Sequence, residues 1–240
     1  MTYAILLAAG RSNRMKTKEK KQFITINNKP ILFYSIDKFL KLKEIEKILI
    51  VINKNDKSNK VIKLLLKKYS KYFISNKFFL IFGGKERFDS VSNALNFINQ
   101  YNNISSTDKV IIHDSARPNF SIQDVNNLLV TLNKYKSVSL SYKLSDSIKR
   151  IKKSDNELFE VSESVDRDKY HLVSTPQGFQ LKLLIECYDK FYKSTLNYKI
   201  TDDLQIIEYF SKQKSYLIDS KQSNIKITTK DDLNMIKYIL

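Results

Sequence analysis

YAILLAAGRSNRMKTKEKKQF, residues 3–23, joins a continuously apolar run to a turn of small residues and then to a strongly basic loop. An apolar run without alternation reads as a strand buried on both faces, the kind that parallel sheets covered by helices contain. Ala8, Ala9 and Gly10 at its end let backbone N–H groups approach an anion closely. Arg14 offers that anion a planar fork, and Lys21 offers it a mobile point charge. Neither GxxxxGK[ST] nor GxGxxG occurs, so the turn is no P-loop and no dinucleotide fingerprint. Taken alone, a basic loop after a strand serves equally well as a solvated connection.

The same grammar repeats outward from this stretch. PILFYSIDKFLKL (30–42) has helical spacing, KILIVI (47–52) is a second apolar strand, and KSNKVIKLLLKKYSKYF (57–73) is helical. FFLIF (78–82), SVSNALNFINQY (90–101), KVIIH (109–113) and IQDVNNLLVTLNKY (122–135) continue as strand, helix, strand and helix. The expected fold is therefore α/β, with a mostly parallel sheet covered on both faces. From about Ser137 the pattern changes. SVSLSYKLSDSIKRIK alternates apolar and polar residues, and after KSDNE comes LFEVSESV, which predicts a projecting antiparallel hairpin. We expect one domain over 1–240, with a β-hairpin arm over 138–174 inside it. Helices are expected at 179–193 and 202–211. A last strand, NIKIT (224–228), should lead into a C-terminal helix, with Thr229 and Asp232 spaced as a capping box.

Composition narrows the function classes. The chain of 240 residues is 42% hydrophobic, enough for a proper core. It carries 42 Lys+Arg against 25 Asp+Glu, a net charge of +17. Such a balance suits nucleic acid or phosphorylated ligands. The lysines recur along the whole chain without an Arg-rich stripe, so most of them read as solvated. The 14 Tyr and 14 Phe mostly fall at core spacing, which argues against a stacking platform for nucleic acid. Cys187 is the sole cysteine, which excludes an internal disulfide and a cysteine-rich metal site. Its amphipathic surroundings make it a buried structural thiol. No apolar stretch approaches the ~18 residues of a membrane span, and the N-terminus lacks a basic n-region. A cytoplasmic protein with no membrane partner and no nucleic-acid partner is expected.

Only four glycines and three prolines occur, so each should answer a backbone need. Gly10 ends the first strand, and Gly83 with Gly84 ends the third. Pro118 closes HDSARP, and Pro176 and Gly178 bracket TPQGF. The carboxyl ends of parallel strands form the ligand crevice, so these residues point to one edge of the sheet. In GGKERFDSVSNAL (83–95) a glycine turn opens a helix; it can pack on a flat base, or Asp89 or Ser90 can simply cap the helix. In VIIHDSARP (110–118), Asp114 can hold Mg²⁺ or a ribose hydroxyl. His113 reads as structural.

AAG-x₃-RM, Lys21-Gln22-Phe23, GG-x₂-R-x₂-SV, HDSARP, DSIKR, VDR, TPQ-x-F, ITDD and NIKIT occur in one order from about Tyr3 to Leu240. This series closely resembles the 2-C-methyl-D-erythritol 4-phosphate cytidylyltransferase family of the non-mevalonate isoprenoid pathway. A nearer alternative within the same chemistry is a ribitol or pentitol 5-phosphate cytidylyltransferase, which shares most of these motifs. DSIKR with VDR before TPQ favours the methylerythritol enzyme. The non-enzyme alternative is a basic nucleic-acid-binding protein. The resemblance implies a Rossmann-like three-layer αβα nucleotidyltransferase fold and a homodimer built by the arm. It implies transfer of CMP from CTP to 2-C-methyl-D-erythritol 4-phosphate, with Mg²⁺ or another divalent cation as cofactor. Ala8, Ala9, Gly10, Gly83, Gly84, Ser90, Asp114 and Ser115 correspond to the CTP site, with Asp114 near the metal. Arg14, Lys21 and Lys226 correspond to the catalytic cations. Arg117, Ser147, Arg167, Thr175 and Thr201 correspond to the acceptor side, with Ser147 and Arg167 reaching a neighbouring subunit. Three departures stand out. Ser12 and Lys20 replace the usual glycine and proline, which leaves Lys20 or Lys21 as the phosphate ligand, with Lys21 preferred. Lys85 stands where many members carry an acidic residue.

Overall fold

The computed structural model describes residues 1–10, 15, 19–153, 158–195, 200–220 and 224–240. In chain order the elements are β1 (Thr2–Ala8), the short pair β2 (Thr25–Ile26) and β3 (Lys29–Pro30), α1 (Ile31–Leu40), β4 (Lys47–Ile52), α2 (Lys60–Lys68), α3 (Ser70–Ile74) and β5 (Phe78–Phe82). Next come α4 (Arg87–Tyr101), β6 (Lys109–Asp114), α5 (Ile122–Thr131), β7 (Ser137–Lys143), β8 (Ile148–Lys153), β9 (Phe159–Val165) and β10 (His171–Gln180). The chain ends with α6 (Leu181–Lys193), α7 (Asp203–Phe210), β11 (Tyr216–Asp219) and α8 (Lys230–Ile239).

Seven strands form one sheet in the order β11-β7-β10-β6-β1-β4-β5. β6, β1, β4 and β5 run parallel, as the unbroken apolar runs require. β11 is parallel to β7, and β10 lies antiparallel between β7 and β6. Both faces are covered. Phe33, Phe39, Phe120 and Leu128 pack on one side, and Val91, Leu95, Leu184 and Ile207 on the other. Ile48 to Ile52 in β4 are consequently sealed from water on both faces. A third cluster joins Met15, Ile26, Ile31, Ile227 and Ile236. It docks α8 and the segment before it against β2 and β3. The expected three-layer fold is the observed one.

Several boundaries differ, each for a local reason. The helix expected over 57–73 breaks at Tyr69, whose backbone leaves helical values (φ −110°, ψ 22°). Its ring is buried edge-on to Phe33, and its hydroxyl donates to Asp37 at 2.7 Å. α4 starts at Arg87, and neither Asp89 nor Ser90 is its cap. Glu86 caps it, with Asp89 returning the bond as a capping box. Residues 137–143 join the central sheet; the projecting ribbon is β8–β9, a two-stranded sheet of its own. Within 138–174, therefore, 138–143 and 171–174 are strands of the main sheet. β10 extends to Gln180, so the helix expected from 179 starts at Leu181. NIKIT forms no strand; the edge beside β7 is already taken by β11. The segment instead crosses the loop after β6, where Ile227 N–H donates to the Ala116 carbonyl at 2.9 Å. Gly178 does not mark the crevice. A Cβ there would lie 2.4 Å from Leu128 and 2.6 Å from Leu132, so glycine lets α5 pack on β10.

Candidate active site

The site begins where β1 ends. Gln22, buried, donates its side-chain amide to the carbonyls of Ala8 (2.7 Å) and Gly10 (3.0 Å). Phe23 beside it is fully buried in the core. The chain that leaves at Gly10 is thereby brought back along the same strand end. This return sets Lys21 at the cleft, where its ammonium donates to the Ile227 carbonyl at 2.9 Å. Lys20 is engaged elsewhere, by both carboxylate oxygens of Asp56.

The second wall is the turn after β5. A Cβ on Gly83 would lie 2.6 Å from the Ser90 hydroxyl and 2.7 Å from Ala9, and one on Gly84 would lie 2.2 Å from Asp89. Contacts under 3.0 Å demand movement, so this turn needs both glycines. The Ser90 hydroxyl accepts from Gly84 N–H (3.2 Å) and donates to the Glu86 carbonyl (3.1 Å), fixing the turn on α4.

The floor is the end of β6. Asp114 is buried, and its two carboxylate oxygens accept from Arg87 Nε (3.2 Å) and Lys226 Nζ (2.7 Å). Burial alone would raise its pKa. The cations of Arg87 and Lys226, with Arg117 behind them, outweigh that and hold the carboxyl well below the usual carboxylate range. Arg87 is itself held from the other side, its Nη2 2.7 Å from Asp203. Asp203 is fully buried, and Tyr188 donates to it at 2.6 Å. A line of alternating charge thus runs from α7 to the C-terminal segment: Asp203, Arg87, Asp114, Lys226. Burial also pushes the His113 imidazole down to about 3 and keeps it neutral. Nε2 lies 3.0 Å from the Arg117 carbonyl, which can only accept, so the proton sits there. Nδ1 then accepts from the Thr175 hydroxyl (3.1 Å), which in turn accepts from Asp114 N–H (3.0 Å). His113 is structural, as its sequence context suggested.

These walls enclose a cleft of about 400 Å³, within the range of small-molecule sites. Ala9, Gly10, Lys21, Gly84, Ser90, Asp114, Ser115 and Lys226 line it, so residues from four distant stretches meet. Gly83 stands behind the turn, and the Ala8 side chain belongs to the core. Arg117 lies beneath, donating to the Asn224 carbonyl at 2.8 Å; its buried Nε has no hydrogen-bond partner among the described residues. The Thr175 hydroxyl is committed to His113 and Asp114. Thr201 is exposed and donates to Gln205 at 3.2 Å. Ser147 and Arg167 are exposed at the root of the ribbon, with Arg167 donating to the Ser145 carbonyl. Arg14 lies outside the described residues. Sequence reading assigned nothing to Arg87 or Gln22, although GG-x₂-R and Lys-Gln-Phe spell both. Asp203, in ITDD, gave no signal that it would serve Arg87.

Among known families, the model described as IspD, 2-C-methyl-D-erythritol 4-phosphate cytidylyltransferase, matches residues 2–240. The enzyme of that name from Clostridium beijerinckii is 34% identical over 245 residues, covering 100% of this chain and 98% of its own. Among solved structures, 4-diphosphocytidyl-2C-methyl-D-erythritol synthase from Anaerococcus prevotii superposes with a TM-score of 0.79 at 28% identity, covering 99% of this chain and 95% of its own. The Francisella tularensis 2-C-methyl-D-erythritol 4-phosphate cytidylyltransferase gives 0.77 at 29% identity, covering 100% and 99%.

Proposed function

We propose how this site works from one premise: the chain belongs to the 2-C-methyl-D-erythritol 4-phosphate cytidylyltransferase family. It is a nucleotidyltransferase that transfers CMP from CTP to 2-C-methyl-D-erythritol 4-phosphate, giving 4-diphosphocytidyl-2-C-methyl-D-erythritol and pyrophosphate for isoprenoid precursors. Family membership favours neither the pentitol-phosphate reading nor the nucleic-acid-binding one.

An oxygen of the acceptor's phosphate forms a bond to the α-phosphorus of CTP, and the bond to the β-phosphate breaks. A phosphate monoester has its second pKa near ~6, so the nucleophile is already ionised at neutral pH. No strong base is needed, and His113, neutral with both nitrogens committed, offers none. The barrier is electrostatic, because two anions meet and charge grows on the leaving pyrophosphate. Lys21 and Lys226 supply the compensating charge in our reading, and Arg14, which lies outside the described residues, is assigned the same role from the family resemblance. Gly10 and Ala9 approach the triphosphate, and Gly84 and Ser90 the base. Asp114 serves best as the holder of Lys226 and Arg87 and as a ribose contact. One observation carries this reading: Lys21 and Lys226 line one cleft, and the Lys21 ammonium bonds the carbonyl next to Lys226.

The residues do not fit a metal caged by protein. Both oxygens of Asp114 already accept from cations. No group of three or more His, Cys, Asp and Glu occurs where it could hold a metal among the described residues. A divalent cation fits only as a companion of the nucleotide, ligated mainly by phosphate oxygens.

The acceptor side extends the proposal to a homodimer. Ile151, Phe159 and Val161 on the ribbon are 49%, 62% and 57% exposed. An apolar face on an isolated two-stranded ribbon calls for a cover. A second copy would bring its Ser147 and Arg167 to the acceptor's phosphate, beside Arg117, Thr175 and Thr201. Cytoplasmic location belongs to the same reading, supported by the single buried thiol, Cys187, which burial pushes up in pKa. No helix among the described residues is long and apolar enough to cross a membrane.

The test is pyrophosphate release with CTP, with methylerythritol phosphate and ribitol phosphate as rival acceptors. Lys21→Ala and Lys226→Ala should each lower turnover by about a hundredfold or more with the fold intact. Near-normal turnover in either variant removes that residue from the mechanism.

A further inference from the structure

We propose that Asp56, acting through Lys20, is a positioning residue for the reaction: it fixes where the basic loop re-enters the fold, and so where the Lys21 ammonium stands. The inference rests on the reading of Lys21 as a triphosphate contact.

Asp56 lies in a short helical turn, Lys54–Asp56, directly after β4, and is only 7% exposed. A buried carboxylate needs a cationic or hydrogen-bonding partner. Lys20, 36 residues away in sequence, supplies it with contacts of 2.7 and 2.8 Å to the two oxygens. Two contacts from one ammonium to a buried acceptor make a clamp, unlike the loose pairs of exposed side chains. The backbone at Lys20 is extended (φ −65°, ψ 136°). Lys20 is the last extended residue before the tight helical turn Lys21–Phe23, so drawing its side chain to Asp56 fixes the chain at the point where that turn sets Lys21. Lys21 lines the cleft, and its ammonium reaches Ile227. Gln22 and Phe23 then lock the next two residues. Without the Asp56 anchor, the residue immediately before Lys21 keeps only its backbone hold, the Lys20 carbonyl accepting from Phe23 N–H at 2.8 Å. A misplacement of ~1 Å in a charged contact can cost ~hundredfold in rate. The pair also leaves Lys20 out of the cleft lining that Lys21 joins.

The φ at Lys20 is proline's own value, so a proline there restrains the backbone without a charge. This gives a rescue experiment. kcat and KM for CTP are measured with methylerythritol phosphate for Asp56→Asn, Lys20→Met, the double variant Lys20→Pro/Asp56→Asn, and Lys21→Ala, alongside thermal midpoints. Asp56→Asn and Lys20→Met should each lose about tenfold or more in kcat/KM. The proline double variant should return to within about threefold of the parent. If Asp56→Asn lowers the midpoint but leaves kcat and KM unchanged, Asp56 is purely structural and the proposal is wrong. If Asp56→Asn is normal while Lys20→Met and the proline double variant fail alike, Lys20 itself touches phosphate, and the proposal is again wrong. If Lys21→Ala is normal, the premise falls, an outcome distinguishable from both others.

Discussion

Lys226 in the cleft and Arg167 at the ribbon root are both proposed to meet phosphate, yet the fold treats them in opposite ways. Lys226 is held at 2.7 Å by Asp114, which Arg87 grips and Asp203 backs from α7. The ends of β1, β5 and β6 form a rigid frame for that constellation. Arg167 is exposed, and its described bond runs only to a carbonyl of the same root. Beyond it, among the described residues, β8 and β9 pair only with each other, with charged and apolar side chains both facing water. A rigid sheet lets one chain preassemble a charged site. A two-stranded ribbon has no core of its own, so what it carries acquires a fixed position only against something else.

The sharpest way to break the cleft's half of this contrast is to remove its hidden support. Asp203→Ala strips the buried counter-ion from Arg87 and leaves Tyr188 without its acceptor. Removing one partner of a buried pair typically costs about 3–5 kcal/mol, which urea denaturation measures directly. A loss below about 1 kcal/mol would mean that Arg87 re-pairs fully with Asp114 and that the charge line has slack. The ribbon should be indifferent to this change.

The converse variant attacks the ribbon. Val161→Asp with Ile151→Asp places charge on the apolar face and should yield a monomer by sedimentation. Turnover should fall by about a hundredfold, because the acceptor side loses its partner cation, while CTP affinity stays within about threefold. A monomer with full turnover would show that one chain holds a complete site and would erase the contrast.

The contrast also explains what the sequence revealed. The parallel strands were legible as unbroken apolar runs; KILIVI and FFLIF match β4 and β5 residue for residue, although only β4 is sealed on both faces and β5 is the sheet's edge strand. Gly83 and Gly84 were legible because steric need admits no substitute. NIKIT misled because five residues of alternating pattern suit a strand or any segment with one face on the protein, and only topology decides. The arm expected over 138–174 is wider than the β8–β9 ribbon because SVSLSYK alternates as a ribbon strand does, while β7 lies inside the main sheet. Arg87 and Asp203 stayed hidden because their meaning is a contact between α4 and α7, over a hundred residues apart. The sequence carried both residues in clear motifs and no sign that they touch.

The third test concerns His113, under the cleft, and sharpens the contrast by pH. An ordinary imidazole titrates near ~6.5, whereas burial against Phe39 and Phe120 pushes this one down to about 3. The folded value is depressed, so the unfolded chain takes the proton first as pH falls. The stability held by the neutral ring is complete above about 6.5 and drains away toward about 3, by about 1.4 kcal/mol per pH unit. Asp114 acts in the same direction in a lower window. Its carboxyl is held well below the usual range, so its contribution is lost only below about 4. Between about 4 and 6.5, then, the unfolded chain's His113 takes up its proton while the folded ring stays neutral, and Asp114 is ionised in both states. Denaturation midpoints at pH 7, 6 and 5 should fall more steeply for the parent than for His113→Asn, and the ribbon variant should keep the parent's slope. Equal slopes in parent and His113→Asn would mean that the ring is not held neutral beneath Asp114, and the frame under the cleft would need another source of its acid sensitivity.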